Sequence, residues 1–188
     1  MRRKKEDAMQ TRETVLKASA TVIAQQGTGA FTLDAVAREA GLTKGGVLHH
    51  FPSKEALING LIDQVIAVFN SRLEEELLAE PPEAHGRWLR AYLRTVFSVH
   101  YDVNNLIPTL AAAVASDHHT LNRLRQLFAV SQQAAIDDGI DPVEATVVRL
   151  AIEGVVFTRA LSVDVLDEAM SQNVFNKLFQ LTIKNESP

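Results

Sequence analysis

The sequence predicts an all-α protein in two parts, a three-helix N-terminal domain over residues 1–54 and a larger helical C-terminal domain over residues 55–188. Three observations predict it. Apolar residues recur at intervals of three and four, and no stretch alternates as a half-buried strand would. Capping residues and glycines punctuate the periodic segments where helices should start and stop. The charge is divided: residues 1–54 carry nine Lys/Arg against five Asp/Glu, residues 55–188 ten against eighteen, within a net charge of −4. A basic head on an acidic body suits attraction of phosphate at one end only.

Composition narrows the chemistry. A chain of 188 residues with 46% hydrophobic content can bury a substantial core. The absence of cysteine excludes disulfides, thiolate zinc sites and thiol catalysis. No apolar run approaches the roughly 20 residues that span a bilayer, and the basic start Arg2-Arg3-Lys4-Lys5 leads into Glu6 and Asp7 instead of an apolar signal segment. A soluble, cytoplasmic protein without membrane attachment is expected. No Ser/His/Asp arrangement, phosphate loop or dinucleotide fingerprint is present, so neither an enzymatic activity nor a cofactor is expected. His118-His119 lack the spacing of a metal pair, since adjacent helical positions diverge by about 100°, and no metal is expected.

The elements follow in order. Val15, Ala18, Ser19, Val22 and Ile23 share one face of a helix from Thr11 to Gln26, ended by Gly27 and Gly29. Thr32 is placed to cap a short helix from Leu33 to Ala40, with Asp34 in its first turn and Gly41 just beyond it. Thr43 caps a very short third helix through His50. Ser53 caps a long fourth helix, whose apolar positions run from Leu57 to Leu77 until Pro81-Pro82 breaks the pattern. Helical stretches then follow near Glu83–Tyr101, Asn104–Ala115, Thr120–Asp138, Pro142–Leu161 and Asp167–Lys184. Asp141-Pro142-Val143-Glu144 is the best-marked start, with a cap, a proline at the first helical position and a glutamate suited to a capping box.

The second and third helices fit a helix-turn-helix. Ala37 is small where two axes must approach, and Gly41 tolerates the left-handed conformation of the turn. Val36, Ala40, Leu42 and Val47 form an apolar wedge that leaves the start of the third helix free to enter a groove of DNA. Gly45 and Gly46 permit close main-chain approach at a cost of about 1 kcal/mol each relative to alanine. His49 and His50 have two open roles, as donors to DNA or as packed surface residues beside Phe51.

The stretch from about Arg12 to Leu61 resembles the DNA-binding domain of the TetR family. The resemblance is carried by Thr32, by Ala37 to Gly41, by Thr43-Lys44-Gly45, and by the closing His50-Phe51-Pro52-Ser53-Lys54-Glu55-Ala56-Leu57. The chain departs from the family at Leu48, where a tyrosine that touches the DNA backbone is usual. The resemblance implies that the third helix reads DNA, with Thr43 and Lys44 on backbone or base edges. It also implies that Lys54 meets a phosphate, against the alternative of a solvated charge, and that Thr32 caps its helix and reaches a phosphate as well. Arg2 to Lys5 are either a flexible arm to DNA or a solvated tail.

Beyond Pro82 only the general TetR plan applies, a helical effector-binding and dimerisation domain. Trp88, Tyr92, Phe97, His100 and Tyr101 mix aromatic bulk with polar ends on one helix, and Asn105, Phe128, Gln132 and Phe157 would complete the lining of a small-molecule site. Val147, Ala151, Gly154 and Val155, with Phe175, Leu178 and Phe179 of the last helix, would pair two copies in a four-helix bundle, against the alternative of burial within one subunit. The expected function is therefore a homodimeric, DNA-binding transcriptional regulator, a repressor released from a palindromic operator of double-stranded DNA by a small-molecule effector. The alternative is a TetR-like ligand-binding or adaptor protein that has lost operator binding.

Overall fold

The computed structural model describes residues 2–98, 118–160, 163 and 165–183. Among these residues the chain forms eight α-helices and no strand: α1 (Arg2–Gln26), α2 (Leu33–Glu39), α3 (Lys44–His50), α4 (Lys54–Leu78), α5 (Arg87–Ser98), α6 (His118–Ile136), α7 (Pro142–Ala160) and α8 (Glu168–Leu181). The described residues divide into two compact units, one running to Ile66 and the other beginning at Ala67, so α4 supplies residues to both. No helix among them is long and apolar enough to cross a membrane.

In the first unit the spacing of apolar side chains sets the packing. Val15, Leu16, Ala18, Val22 and Ile23 of α1 meet Ala35, Val36 and Ala37 of α2, Val47 of α3, Phe51, and Leu57, Leu61 and Ile62 of α4 in one buried cluster. Ser19 lies within this face without penalty because its hydroxyl donates to the Val15 carbonyl at 2.7 Å. Helix α1 begins at Arg2 instead of Thr11. No glycine or proline interrupts residues 1–26, so helix propagates through the basic start, and the backbone of residues 2–5 is helical where either a flexible arm or a solvated tail was expected.

The turn between α2 and α3 is closed by the backbone. Gly41 has φ +66°, the Leu42 amide donates to the Ala37 carbonyl at 2.9 Å, and the Gly41 amide donates to the Arg38 carbonyl at 3.2 Å. This is the paired C-terminal cap that a left-handed residue makes possible. Leu42 then packs against the core.

The second unit is built around α5. Leu89, Tyr92, Leu93 and Val96 form one face at helical spacing and bury against Ala135 of α6, Ala145, Val148 and Ile152 of α7, and Leu178 of α8. Helix α5 starts at Arg87, later than the expected Glu83, because the chain first makes a tight passage at Gly86. There φ is +71°, and a Cβ would lie 1.9 Å from the Thr182 carbonyl oxygen. Arg90 and Arg94 of α5 bind Glu80, and the Arg90 guanidinium also donates to the carbonyls of His85 and Thr182. One buried cation thereby ties the turn after α4, the turn before α5 and the end of α8.

The start of α5 is capped from a distant part of the chain. Asp138 accepts from the amides of Trp88 at 2.7 Å and Leu89 at 2.8 Å, and its own carbonyl accepts from Gly86 at 2.7 Å. Burial pushes the Asp138 carboxyl up, against the two amide bonds that favour its charge. Asp138→Ala removes the acceptor for two part-buried amides. It is expected to destabilise the chain by about 2 kcal/mol, read as a lower urea midpoint at unchanged m-value. A shift below a few tenths of a kcal/mol would show that water replaces the cap.

Candidate nucleic-acid interface

Each helix of the turn is capped by the residue that the sequence marks. The Thr32 hydroxyl accepts from the Ala35 amide at 3.1 Å, and Thr43 accepts from Gly46 at 3.1 Å. Helix α3 has one inward anchor, the fully buried Val47, followed by Phe51 at its C-terminal end. With Val47 turned into the core, the helical period leaves Thr43, Lys44, Gly45, Leu48 and His49 exposed, while Gly46 and His50 are half-buried. The His49 and His50 rings meet edge to face with centroids 5.2 Å apart. Leu48, at the family's tyrosine position, is a large apolar side chain at the surface.

The fold does not require glycine at either position 45 or 46. A Cβ on Gly45 would come no nearer than 3.9 Å to Thr43 Oγ1, and one on Gly46 no nearer than 3.5 Å to the same atom, both ordinary contacts. Neither residue is among the positive-φ glycines. Alanine would fit and would favour the helix, so the packing described here does not call for glycine at either position.

Three exposed cations of the first unit have defined contacts. Lys44 pairs with Asp34 of α2, Nζ to Oδ2 at 2.8 Å, and both side chains are exposed. The Lys54 ammonium sits 5.4 Å from the centroid of the buried Phe31 ring, and the Arg12 guanidinium 5.0 Å from that of Phe51. Phe31 and Phe51 thus anchor the core and hold a charge over an outer face. Arg12 and Asp34 were not among the residues expected here; Arg12 meets Phe51 only through the fold, and Asp34 had been read solely as a helix-start charge.

The described residues among those expected to bind an effector form ring pairs and a polar cluster. Trp88 stacks on Tyr92 with centroids 4.8 Å apart, and Tyr92 is buried. Phe97 meets Phe175 at 5.3 Å, and Phe128 meets the exposed Phe157 at 6.3 Å. Gln132 donates to Thr146 at 2.8 Å and accepts from Arg149 at 2.5 Å, where Arg149 also pairs with the buried Glu153. Burial pushes the Glu153 carboxyl up against the pull of Arg149. His100, Tyr101 and Asn105 lie outside the described residues. A cleft of about 420 Å³ opens beside Trp88, bordered by Leu77, His85, Arg87, Ala134 and Asp138. Of the described residues in the expected lining it includes Trp88 alone.

The expected pairing residues fall into two groups. Val155 and Leu178 are buried, and Ala151, Phe175 and Phe179 pack against the core of their own unit. Val147 and Gly154 are exposed, and no atom lies within 4 Å of a Cβ built on Gly154. They belong to an outward row on α7, Val143, Val147, Leu150, Gly154 and Phe157, whose four apolar side chains are between 47% and 70% exposed.

Comparison with known proteins agrees with this architecture. The family model described as bacterial regulatory proteins, tetR family, matches residues 15–61, and that described as tetracyclin repressor-like, C-terminal domain, matches residues 86–183, just over half of the chain. The chain is similar to the uncharacterised HTH-type transcriptional regulator YerO of Bacillus subtilis, 33% identical over 75 residues; the match covers 38% of this chain and only 26% of that relative's length. Among solved structures, a transcriptional regulator from Rhodococcus sp. Rha1 superimposes with a TM-score of 0.71 at 18% identity, covering 91% of this chain and 95% of that one. The multidrug binding protein EbrR, solved with malachite green, gives 0.67 at 18% identity, covering 92% and 98%. At such identities the structural likeness concerns the fold. With both halves of the chain matched by models of one family, this protein belongs to the TetR family.

Proposed function

We propose that this chain is a cytoplasmic, DNA-binding transcriptional regulator that acts as a homodimer, represses by occupying a palindromic operator, and is released by a small organic effector. The observation that carries the reading is the outer face of α3, where Thr43, Lys44 and Gly45 stand exposed beside the half-buried Gly46, two glycines that the fold does not need. Such a surface admits the sugar-phosphate backbone or base edges to the main chain, with Lys44, Lys54 and Arg12 supplying positive charge around it. The alternative, a family member without operator binding, leaves the glycine pair without a purpose. The reading assigns the chain no catalytic role.

The dimer is supported by the row on α7. Val143, Val147, Leu150, Gly154 and Phe157 are separated by four, three, four and three residues, the spacing of a helix seam that packs against a second helix. In this reading a second copy covers the row across a two-fold axis. Leu178 and Val155 stiffen the helices from inside, and Phe175 and Phe179 buttress them. Val147→Glu is expected to turn the dimer into a monomer at micromolar concentration, because a carboxylate buried in the seam has no partner. Sedimentation velocity checks this, and a variant that sediments like wild type would move the interface elsewhere.

The effector is assigned by chemistry alone. A small organic molecule with an aromatic part suits the second unit, which concentrates the aromatic side chains of Trp88, Tyr92, Phe97 and Phe128. EbrR, which shares the fold, holds malachite green. Release of DNA follows if the effector favours a dimer whose two α3 helices no longer match successive major grooves.

Selection from a random duplex pool by the full-length protein tests the function. Enriched sequences that share an inverted repeat are expected. A pool without enrichment, together with no measurable binding to duplex at low salt, would overturn the reading.

A further inference from the structure

We propose that Asp34 competes with DNA phosphate for the ammonium of Lys44, so that this carboxylate sets how tightly and how salt-dependently the recognition surface holds a duplex. The inference rests on the reading of α3 as the DNA-contacting helix.

The geometry is direct. Lys44 Nζ lies 2.8 Å from Asp34 Oδ2, a charge-assisted distance, and the two side chains are 54% and 64% exposed. The pair therefore stands in solvent, open to an incoming polyanion. Asp34 has no role as the cap of α2, because Thr32 already accepts from the Ala35 amide. It does not support the core either: its neighbours Ala35, Val36 and Ala37 turn inward while Asp34 stays outside. The carboxylate oxygen occupies the position on Lys44 that a phosphate oxygen would take, since both are anionic oxygens recognised by the same ammonium donor.

Two consequences follow. Binding DNA exchanges one anionic partner of Lys44 for another, so the gain from the lysine is reduced by whatever the ion pair contributes in the free protein. An exposed pair of this kind is weak, equivalent to about two- to fivefold in an equilibrium constant. The exchange also leaves the Asp34 carboxylate uncompensated beside the phosphates, where it draws in a cation. That uptake offsets part of the counterion release on which affinity depends, so the salt dependence is shallower than the number of lysines and arginines implies. The effect acts on any duplex and therefore restrains sequence-independent binding.

The test uses the full-length wild type, Asp34→Asn, Lys44→Ala and the double variant, titrated against a mixed-sequence duplex by fluorescence anisotropy over a series of salt concentrations. Asp34→Ala serves as a second removal of the charge, and thermal melts verify that each variant is folded. The expected result is about two- to fivefold tighter binding by Asp34→Asn, a salt slope steeper by up to about one ion, weaker binding by Lys44→Ala, and no effect of the Asp34 change once Lys44 is absent. Weaker binding by both Asp34 variants would overturn the proposal, because Asp34 would then position Lys44 instead of competing for it. An equal gain with and without Lys44 would also overturn it, leaving simple repulsion of DNA by the carboxylate. Wild-type affinity and slope in Lys44→Ala would instead refute the α3 reading itself and remove the basis for the competition.

Discussion

Replacing both Gly45 and Gly46 by alanine is expected to make the protein more stable and a poorer DNA binder at once. The stability gain comes from the helix. Each glycine in α3 costs about 0.5–1 kcal/mol relative to alanine, and the structure offers no clash to offset the gain, with the nearest atoms 3.9 Å and 3.5 Å from the added methyl groups. Thr43 keeps its cap, because the bond it accepts comes from the backbone amide of residue 46. The loss of binding comes from the same methyl groups, which hold the main chain away from the duplex. Direct contacts weaken steeply beyond hydrogen-bond distance, so a loss of about tenfold or more in affinity is expected, equivalent to about 1.4 kcal/mol. Thermal melting and anisotropy titration on the same preparations check both halves. If stability rises while affinity is unchanged, the glycines do not meet DNA.

A larger effect on stability is expected from Glu80→Ala. The Glu80 carboxylate accepts from Arg90 Nε at 2.9 Å and Nη2 at 2.6 Å, and it also pairs with Arg94. The side chains of Arg90 and Glu80 are about nine-tenths buried. Removing the carboxylate leaves the Arg90 guanidinium, among the described residues, hydrogen-bonded to the carbonyls of His85 and Thr182, at 2.8 and 3.1 Å, with the Asp138 carboxylate as a remaining counter-charge. Breaking a buried ion pair by removing one partner costs about 3–5 kcal/mol. Urea unfolding is expected to show most of that loss, and Glu80→Gln, which keeps one acceptor, a smaller one. A loss under about 1 kcal/mol would mean that water reaches the guanidinium readily.

The same group sets a pH dependence. Burial opposes the charge on Glu80, but hydrogen bonds and attraction from Arg90 and Arg94 outweigh it and hold the carboxyl below its usual range. Its contribution is therefore complete above the ordinary glutamate range and disappears as pH falls through the lowered value. Glu80→Ala is expected to flatten that part of the acid limb of stability.

The local grammar of this chain was legible from its residues. Thr32, Thr43, Ser53 and Asp141 each cap the helix they precede, and Gly41 makes the left-handed turn its neighbours require; Asp167, expected as the first residue of the last helix, caps it instead. These features depend on residues three or four apart, which a sequence displays directly. The outer face of α3 followed from the same period once Val47 was fixed inside.

What could not be read depends on contacts across the chain. Nothing near Trp88 announces that Asp138 caps its helix, nor does anything near Arg12 point to the Phe51 ring. On α7 the apolar arc is wide, and periodicity alone cannot divide Ala145, Val148 and Ile152, which turn inward, from Val147, Leu150 and Phe157, which turn out. Among the described residues, the aromatic side chains expected to line an effector site form ring pairs, Trp88 with Tyr92, Phe97 with Phe175 and Phe128 with Phe157, a grouping that composition does not reveal. Lys44 was visible as a cation, but its partner, ten residues away on the preceding helix, was not.

Hydroxyl-radical footprinting of the full-length protein, alone and bound to a duplex enriched by selection, tests the role of α3 most directly. Protection concentrated on Leu48, His49 and their neighbours in residues 43–50, with the row on α7 unchanged by DNA, is the expected result. Saturating DNA that leaves residues 43–50 as reactive as in the free protein would contradict it.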